Sequence, residues 1–181
     1  MTAANIRLFV ALGVPEDVAR ALTDIPRTGI EGRWNHPDDL HLTLRFLGDI
    51  DPSRVPEIRE ALGRVRRPPF GVEIGGLGFF DQKRGAVLYA RADSTRKLNA
   101  LCGDITDTLT PLGFEFGMRE FVPHITLARL KNARGLPQYI DKKGQIRRLG
   151  WQAQEFGLMQ SGPPDSAGRH YQTLALYPLI P

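Results

Sequence analysis

The chain has 181 residues, 41% of them hydrophobic and 24% charged, enough to bury a sizeable core and too apolar for overall disorder. A lone cysteine, Cys102, excludes an internal disulfide, a zinc finger and a Cys-x-x-Cys redox pair, and no apolar run approaches the roughly 20 residues of a membrane span. Lys plus Arg number 24 against 20 Asp plus Glu, and the pI near 9.5 leans toward anionic partners such as nucleic acid or phosphates. Met1 to Arg7 lack the basic-then-apolar pattern of a leader, so a cytoplasmic protein forming one domain over 1–181 is expected, as is no contact with a membrane.

Ile6 to Leu12 is rich in strand formers and stops at Gly13, after which Pro15-Glu16-Asp17 opens a helical pattern with Val18, Leu22 and Ile25 on one face. Leu40 to Leu47 alternates, which puts Leu40, Leu42, Leu44 and Phe46 toward a core and His41, Thr43 and Arg45 on the polar side. Pro52 to Val65 reads as a helix through Val55, Ile58 and Leu62, and Phe70 to Phe79 with Ala86 to Ala92 read as a hairpin around Asp81–Gly85. Ser94 to Leu112 carries the strongest helical stripe, from Leu98 through Leu101, Cys102, Ile105 and Leu109 to Leu112, so Cys102 is expected in the core. Val122 to Leu130 alternates again, with His124, Thr126 and Ala128 on one face. Lys131 to Gly150 is basic and poor in apolar residues and reads as a surface loop. Gln154 to Ser161 and Gln172 to Leu179 close the chain as strands. Mixed strands and helices with hairpins predict an α+β class.

The informative pattern occurs twice: His41-Leu42-Thr43-Leu44 and His124-Ile125-Thr126-Leu127. The chain has only four histidines, so two His-apolar-Thr-apolar segments point to a duplicated half-site. A strand repeats every two residues, so each His and its Thr share a face while the apolar residues between them face a core. One neutral histidine can take a proton from water while a protonated one delivers a proton to a leaving group. Threonine hydroxyls can donate to phosphate oxygens, and two half-sites about an approximate two-fold axis suit in-line displacement at phosphorus. A strained cyclic phosphate is a suitable target. Neither motif supplies a Cys, Asp or Glu at ligand spacing, so neither a metal nor another cofactor is expected.

With these motifs, the start Arg7-Leu8-Phe9-Val10-Ala11-Leu12, the run Leu40 to Gly48 and the run Phe121 to Arg129, the sequence resembles the two-histidine (2H) phosphoesterase superfamily. Within it, the sequence is similar to the bacterial and archaeal RNA 2′,3′-cyclic phosphodiesterases, the LigT-like or 2′-5′ RNA ligase family. The resemblance spans nearly the whole chain. It implies two pseudo-symmetric lobes, each an antiparallel sheet with helices packed on its outer side, and an active-site cleft between them. It implies metal-independent opening of RNA 2′,3′-cyclic phosphate ends to 2′-phosphates, and a monomer is expected. The substrates would be RNA ends such as those of tRNA fragments, or small cyclic nucleotides. By the resemblance His41 donates a proton to the leaving 3′ oxygen, His124 activates water, and Thr43 and Thr126 hold the phosphate. The sequence pattern itself is symmetric and does not choose between acid and base.

The resemblance also implies a phosphate-binding basic residue at Arg129, although strict alternation would put it on the face opposite His124. Either a bulge re-aims it or it lies elsewhere. Alternatives within the same chemistry are 2′-5′ RNA ligation and cleavage of 2′-5′ oligonucleotides or cyclic nucleotides; outside it stand an RNA-binding module without turnover and a metal hydrolase. His36 and His170 read as surface residues, Trp34 and Tyr171 as aromatics that either pack or stack on a base, and Lys142, Lys143, Arg147 and Arg148 as a basic patch that could steer RNA.

Overall fold

The structure, a computed structural model, describes residues 4–27, 29–117, 120–143 and 146–181. Strand β1 (Ile6–Gly13) is buried from Leu8 to Leu12 and leads through Pro15 into α1 (Glu16–Thr23), whose Val18, Ala19 and Leu22 form its buried face. A three-residue strand, β2 (Gly32–Trp34), precedes β3 (His41–Ile50) and α2 (Val55–Leu62). The hairpin of β4 (Phe70–Gln82) and β5 (Gly85–Ala92) turns through Gly85, whose φ of +109° is readily adopted by glycine. Helix α3 (Arg96–Leu109) buries the Leu98, Leu101, Cys102, Ile105 and Leu109 stripe expected of it, and the Thr95 hydroxyl caps it by accepting from Leu98 N–H. Then follow β6 (His124–Leu130), α4 (Leu136–Lys143), β7 (Leu149–Ala153), β8 (Glu155–Ser161) and β9 (Tyr171–Pro178).

Among the described residues these strands form one sheet of nine, in the order β7-β4-β5-β6-β3-β1-β8-β9, with β2 pairing the remaining stretch of β6. Every pairing is antiparallel, and the class is α+β. The two halves of the sheet, β3-β1-β8-β9 and β6-β5-β4-β7, meet at a single residue pair, Leu42 with Ile125. That bridge is the centre of the approximate two-fold relation between the lobes. Leu42, Ile125 and the buried faces of α1, α2, α3 and α4 belong to one apolar core, so the helices cover the face opposite the histidines. No helix among the described residues is long and apolar enough to cross a membrane.

The segment expected to be a basic loop is instead largely regular. Leu136, Tyr139 and Ile140 recur at i, i+3 and i+4 and form the inner face of α4, with Leu136 and Tyr139 buried; the Tyr139 hydroxyl donates to the Pro26 carbonyl at 2.6 Å. Arg148 is paired with Asp93 at 2.8 Å and Glu73 at 2.9 Å. The patch therefore keeps fewer uncompensated cations than its sequence suggests.

Candidate active site

The antiparallel bridge of Leu42 with Ile125 carries its flanking residues with it: His41 lies across from Thr126, and Thr43 across from His124. Each histidine is thus beside the other strand's threonine, and the two histidines sit on a diagonal around the bridge. The strands alternate as the sequence implies, Leu42 and Ile125 being fully buried while His41, Thr43, His124 and Thr126 are half-exposed on the opposite face.

Both imidazoles are held the same way. Nδ1 of His41 meets the Asp39 carbonyl at 2.7 Å, and Nδ1 of His124 meets the Val122 carbonyl at 2.7 Å, each two residues upstream. A carbonyl only accepts, so Nδ1 carries the proton and Nε2 is the nitrogen left for a substrate. Aromatic rings fix the planes: Phe9 and Tyr171 lie 4.8 Å from His41, and Phe80 and Tyr89 lie 5.0 and 5.2 Å from His124. Burial pushes both histidines below their ordinary pKa. For His41 the bond to the Asp39 carbonyl and the Asp39 carboxylate oppose that fall, while His124 and Arg129 add to it; for His124 the Val122 carbonyl opposes it and Arg129 adds to it.

Arg129 is close enough to act on both histidines, and a bulge explains how. On β6, Thr126 pairs with Tyr89 and Ala128 with Leu88, leaving Leu127 as an extra residue that reverses the alternation beyond it. Arg129 therefore emerges on the face of His124 and Thr126. Asn35 holds the bulge from the neighbouring chain, donating its N–H to the Leu127 carbonyl and Nδ2 to the Thr126 carbonyl, both at 2.9 Å. Strand β3 has the same bulge at the same place. Thr43 pairs with Ala11 and Arg45 with Val10, with Leu44 extra, its carbonyl taken by the Cys102 thiol and by Arg45. This corrects the parity expectation for Phe46, which is 55% exposed and stacks on Phe9 at 5.8 Å instead of entering the core. Phe46 and Arg129 are thus the corresponding residues of the two half-sites, each five positions after its histidine.

Several contributors carried no sequence signal. Asp39 is the one buried charged residue among those described, and its carboxylate accepts twice from the His170 N–H, at 3.0 and 2.9 Å. His170 is therefore half-buried and anchored, not a surface residue, and Tyr171 after it packs on His41. His36 instead accepts from Asp38 N–H as the cap of a short turn. A cavity of about 670 Å³ opens beside Thr43 and His124, walled by Phe46, Phe80, Phe116 and Phe121. Arg45 lies over the last two rings at 5.6 and 5.8 Å. Among the described residues no three His, Cys, Asp or Glu stand together as a metal site.

The family described as LigT like Phosphoesterase matches residues 12–89 and 91–167. An RNA 2′,3′-cyclic phosphodiesterase of Thermotoga maritima is 34% identical over 133 residues, covering 70% of this chain and 71% of that protein. One of Archaeoglobus fulgidus is 28% identical over 161 residues, covering 86% and 91%. The crystal structure of E. coli LigT complexed with 3′-AMP superposes with a TM-score of 0.78 at 26% identity, covering 98% of this chain and 99% of that one. The crystal structure of TT0787 of Thermus thermophilus does so with a TM-score of 0.74 at 27% identity, covering 96% and 97%.

Proposed function

The chain belongs to the LigT-like phosphoesterase family, and on that premise we propose that it hydrolyses 2′,3′-cyclic phosphate ends of RNA to 2′-phosphates without a metal. The observation that carries the reading is the bridge of Leu42 with Ile125, which sets two histidines on a diagonal with a threonine beside each. A phosphate seated over that bridge has an Nε2 on either side and a hydroxyl on either side. Relatives of this chain are RNA 2′,3′-cyclic phosphodiesterases, and E. coli LigT has been crystallised in complex with 3′-AMP, which agrees with this class of ligand.

In the proposed reaction neutral His124 takes a proton from water through Nε2 as the water oxygen bonds to phosphorus. The bond from phosphorus to the 3′ oxygen breaks on the opposite side, and protonated His41 gives its proton to that oxygen, leaving a 3′ hydroxyl and a 2′-phosphate. Thr43 and Thr126 donate to the non-bridging oxygens, and Arg129 offsets the charge that grows on them. The assignment of acid and base follows the family resemblance, and one asymmetry agrees with it: the Asp39 carboxylate supports a cation at His41 and no carboxylate does so at His124, while Arg129 opposes protonation of both.

The test is turnover of a short RNA with a 2′,3′-cyclic phosphate end, in EDTA, by wild type, His41→Ala and His124→Ala. The expected product is the 2′-phosphate, with kcat lowered about 10²- to 10⁴-fold in each variant. A 3′-phosphate product, or variants as fast as wild type, would overturn the reading.

A further inference from the structure

Strand β2 contributes nothing to the two histidine motifs, yet its central residue, Arg33, pairs directly with Arg129 of β6. Opposed residues of an antiparallel pair share a face, with Cβ atoms about 4.5–5.5 Å apart. Arg33 therefore stands on the active-site face, one strand outward from Arg129. Like charges so placed repel. Elsewhere the chain gives its arginines carboxylate partners: Arg169 is paired with Asp165, Arg148 with Asp93 and Glu73, Arg7 with Asp49. Among the described residues neither Arg33 nor Arg129 has a carboxylate oxygen within 4.0 Å.

What holds Arg33 is a histidine. Its Nη1 donates to Nε2 of His170 at 3.3 Å, while Nδ1 of His170 faces the Gly162 carbonyl at 3.3 Å and the His170 N–H is fastened to the Asp39 carboxylate. With the proton on Nδ1, Nε2 is a neutral acceptor. It orients the guanidinium without cancelling its charge, as a carboxylate would. The same Asp39 holds His41 through its carbonyl, so the cation and the histidine are referenced to one buried residue.

The geometry points to Arg33, acting beside Arg129, as a second phosphate position that binds the phosphodiester on the 5′ side of the terminal nucleotide. This rests on the cyclic-phosphate reading above. The reacting phosphate ends its strand, so any further phosphate lies on the 5′ side only, and an anion position one strand out from the reacting one takes that group. Arg33 then distinguishes an RNA end from a cyclic mononucleotide that bears a 5′ hydroxyl, through a charge-assisted bond to backbone phosphate that is indifferent to base identity.

The experiment compares one nucleoside 2′,3′-cyclic phosphate in its 5′-hydroxyl and 5′-phosphorylated forms, for wild type, Arg33→Gln and Arg33→Lys. Wild type is expected to prefer the 5′-phosphorylated form about tenfold in KM; the preference falls to about onefold in Arg33→Gln and is partly kept in Arg33→Lys. A preference unchanged in Arg33→Gln, or absent in wild type that turns both substrates over, overturns the proposal and leaves the hydrolase reading intact. A second arm measures binding of a 3′-phosphorylated trinucleotide against salt concentration, where Arg33→Gln is expected to weaken affinity and reduce the slope of log K on log salt by roughly one. If wild type opens neither cyclic substrate the hydrolase reading fails, and this arm decides the Arg33 site alone, an unchanged affinity and slope refuting it.

Discussion

Strands β3 and β6 carry the same four-residue motif, fold it into the same half-exposed alternation, anchor each histidine to the carbonyl two residues upstream, and bulge at the residue after the threonine. They differ in what surrounds that shared frame. Five residues beyond the histidine, β3 presents Phe46 and β6 presents Arg129. Beside the histidine, β3 has the buried Asp39 carboxylate, whereas Val122 stands at the matching place before β6. In the proposed reaction the duplicated backbone supplies the symmetry for in-line displacement, and these few side chains set one half to donate a proton and the other to accept one.

The contrast between Phe46 and Arg129 gives the largest expected effect after loss of a histidine. Arg129→Met removes the charge that the proposed reaction sets against the phosphate and is expected to lower kcat/KM about 10²-fold. It also removes a cation that opposes protonation of both histidines, so both pKa values rise and the whole pH profile moves upward. Phe46→Leu, at the corresponding position, is expected to raise KM a few-fold and leave the profile in place. Steady-state kinetics from pH 5 to 8 reads both; equal effects of the two substitutions would erase the proposed division of labour.

The bulges offer a smaller effect. Asn35→Ala leaves the Thr126 carbonyl without its side-chain donor and loosens the segment that sets Thr126 and Arg129, with an expected fall of about tenfold in kcat and a stability loss of about 1–2 kcal/mol. On the other side the donor is a buried thiol, pushed up to about 11 by burial and therefore protonated at neutral pH. A thiol is a weak donor, and Arg45 also reaches the Leu44 carbonyl, so Cys102→Ala is expected to cost about 1 kcal/mol in denaturant melts and less than twofold in kcat. A larger kinetic effect from Cys102 than from Asn35 would contradict the account of the bulges.

Much of this was legible in the chain because period-two alternation marks β3 and β6, and a long apolar stripe marks α3. Parity carried the reading as far as Thr43 and Thr126 and failed immediately after, at Arg45, which turns to bond Thr106 of α3, and at Phe46, because an extra residue in a strand leaves no trace in the order of apolar and polar side chains. The same bulge on β6 resolves the position of Arg129. Strand β2 is three residues long and exists through its pairing with β6, and α4 was obscured by the lysines and arginines around Leu136, Tyr139 and Ile140, whose spacing was nonetheless helical. Asp39 reads locally as one acid of a turn; its meaning depends on His170, which folding brings against it from near the other end of the chain.

The most direct test of the unequal half-sites is the pH dependence of kcat/KM for wild type and Asp39→Asn. Well above both histidine pKa values the rate is proportional to the fraction of enzyme whose acid is still protonated; well below them it is proportional to the fraction whose base is free. The Asp39 carboxylate raises the pKa of His41, so its removal lowers that pKa. If His41 is the acid, the alkaline-side rate of Asp39→Asn falls relative to wild type while the acid side stays in place. An acid-side rate that rises instead, with the alkaline side unmoved, would make His41 the base and contradict the assignment.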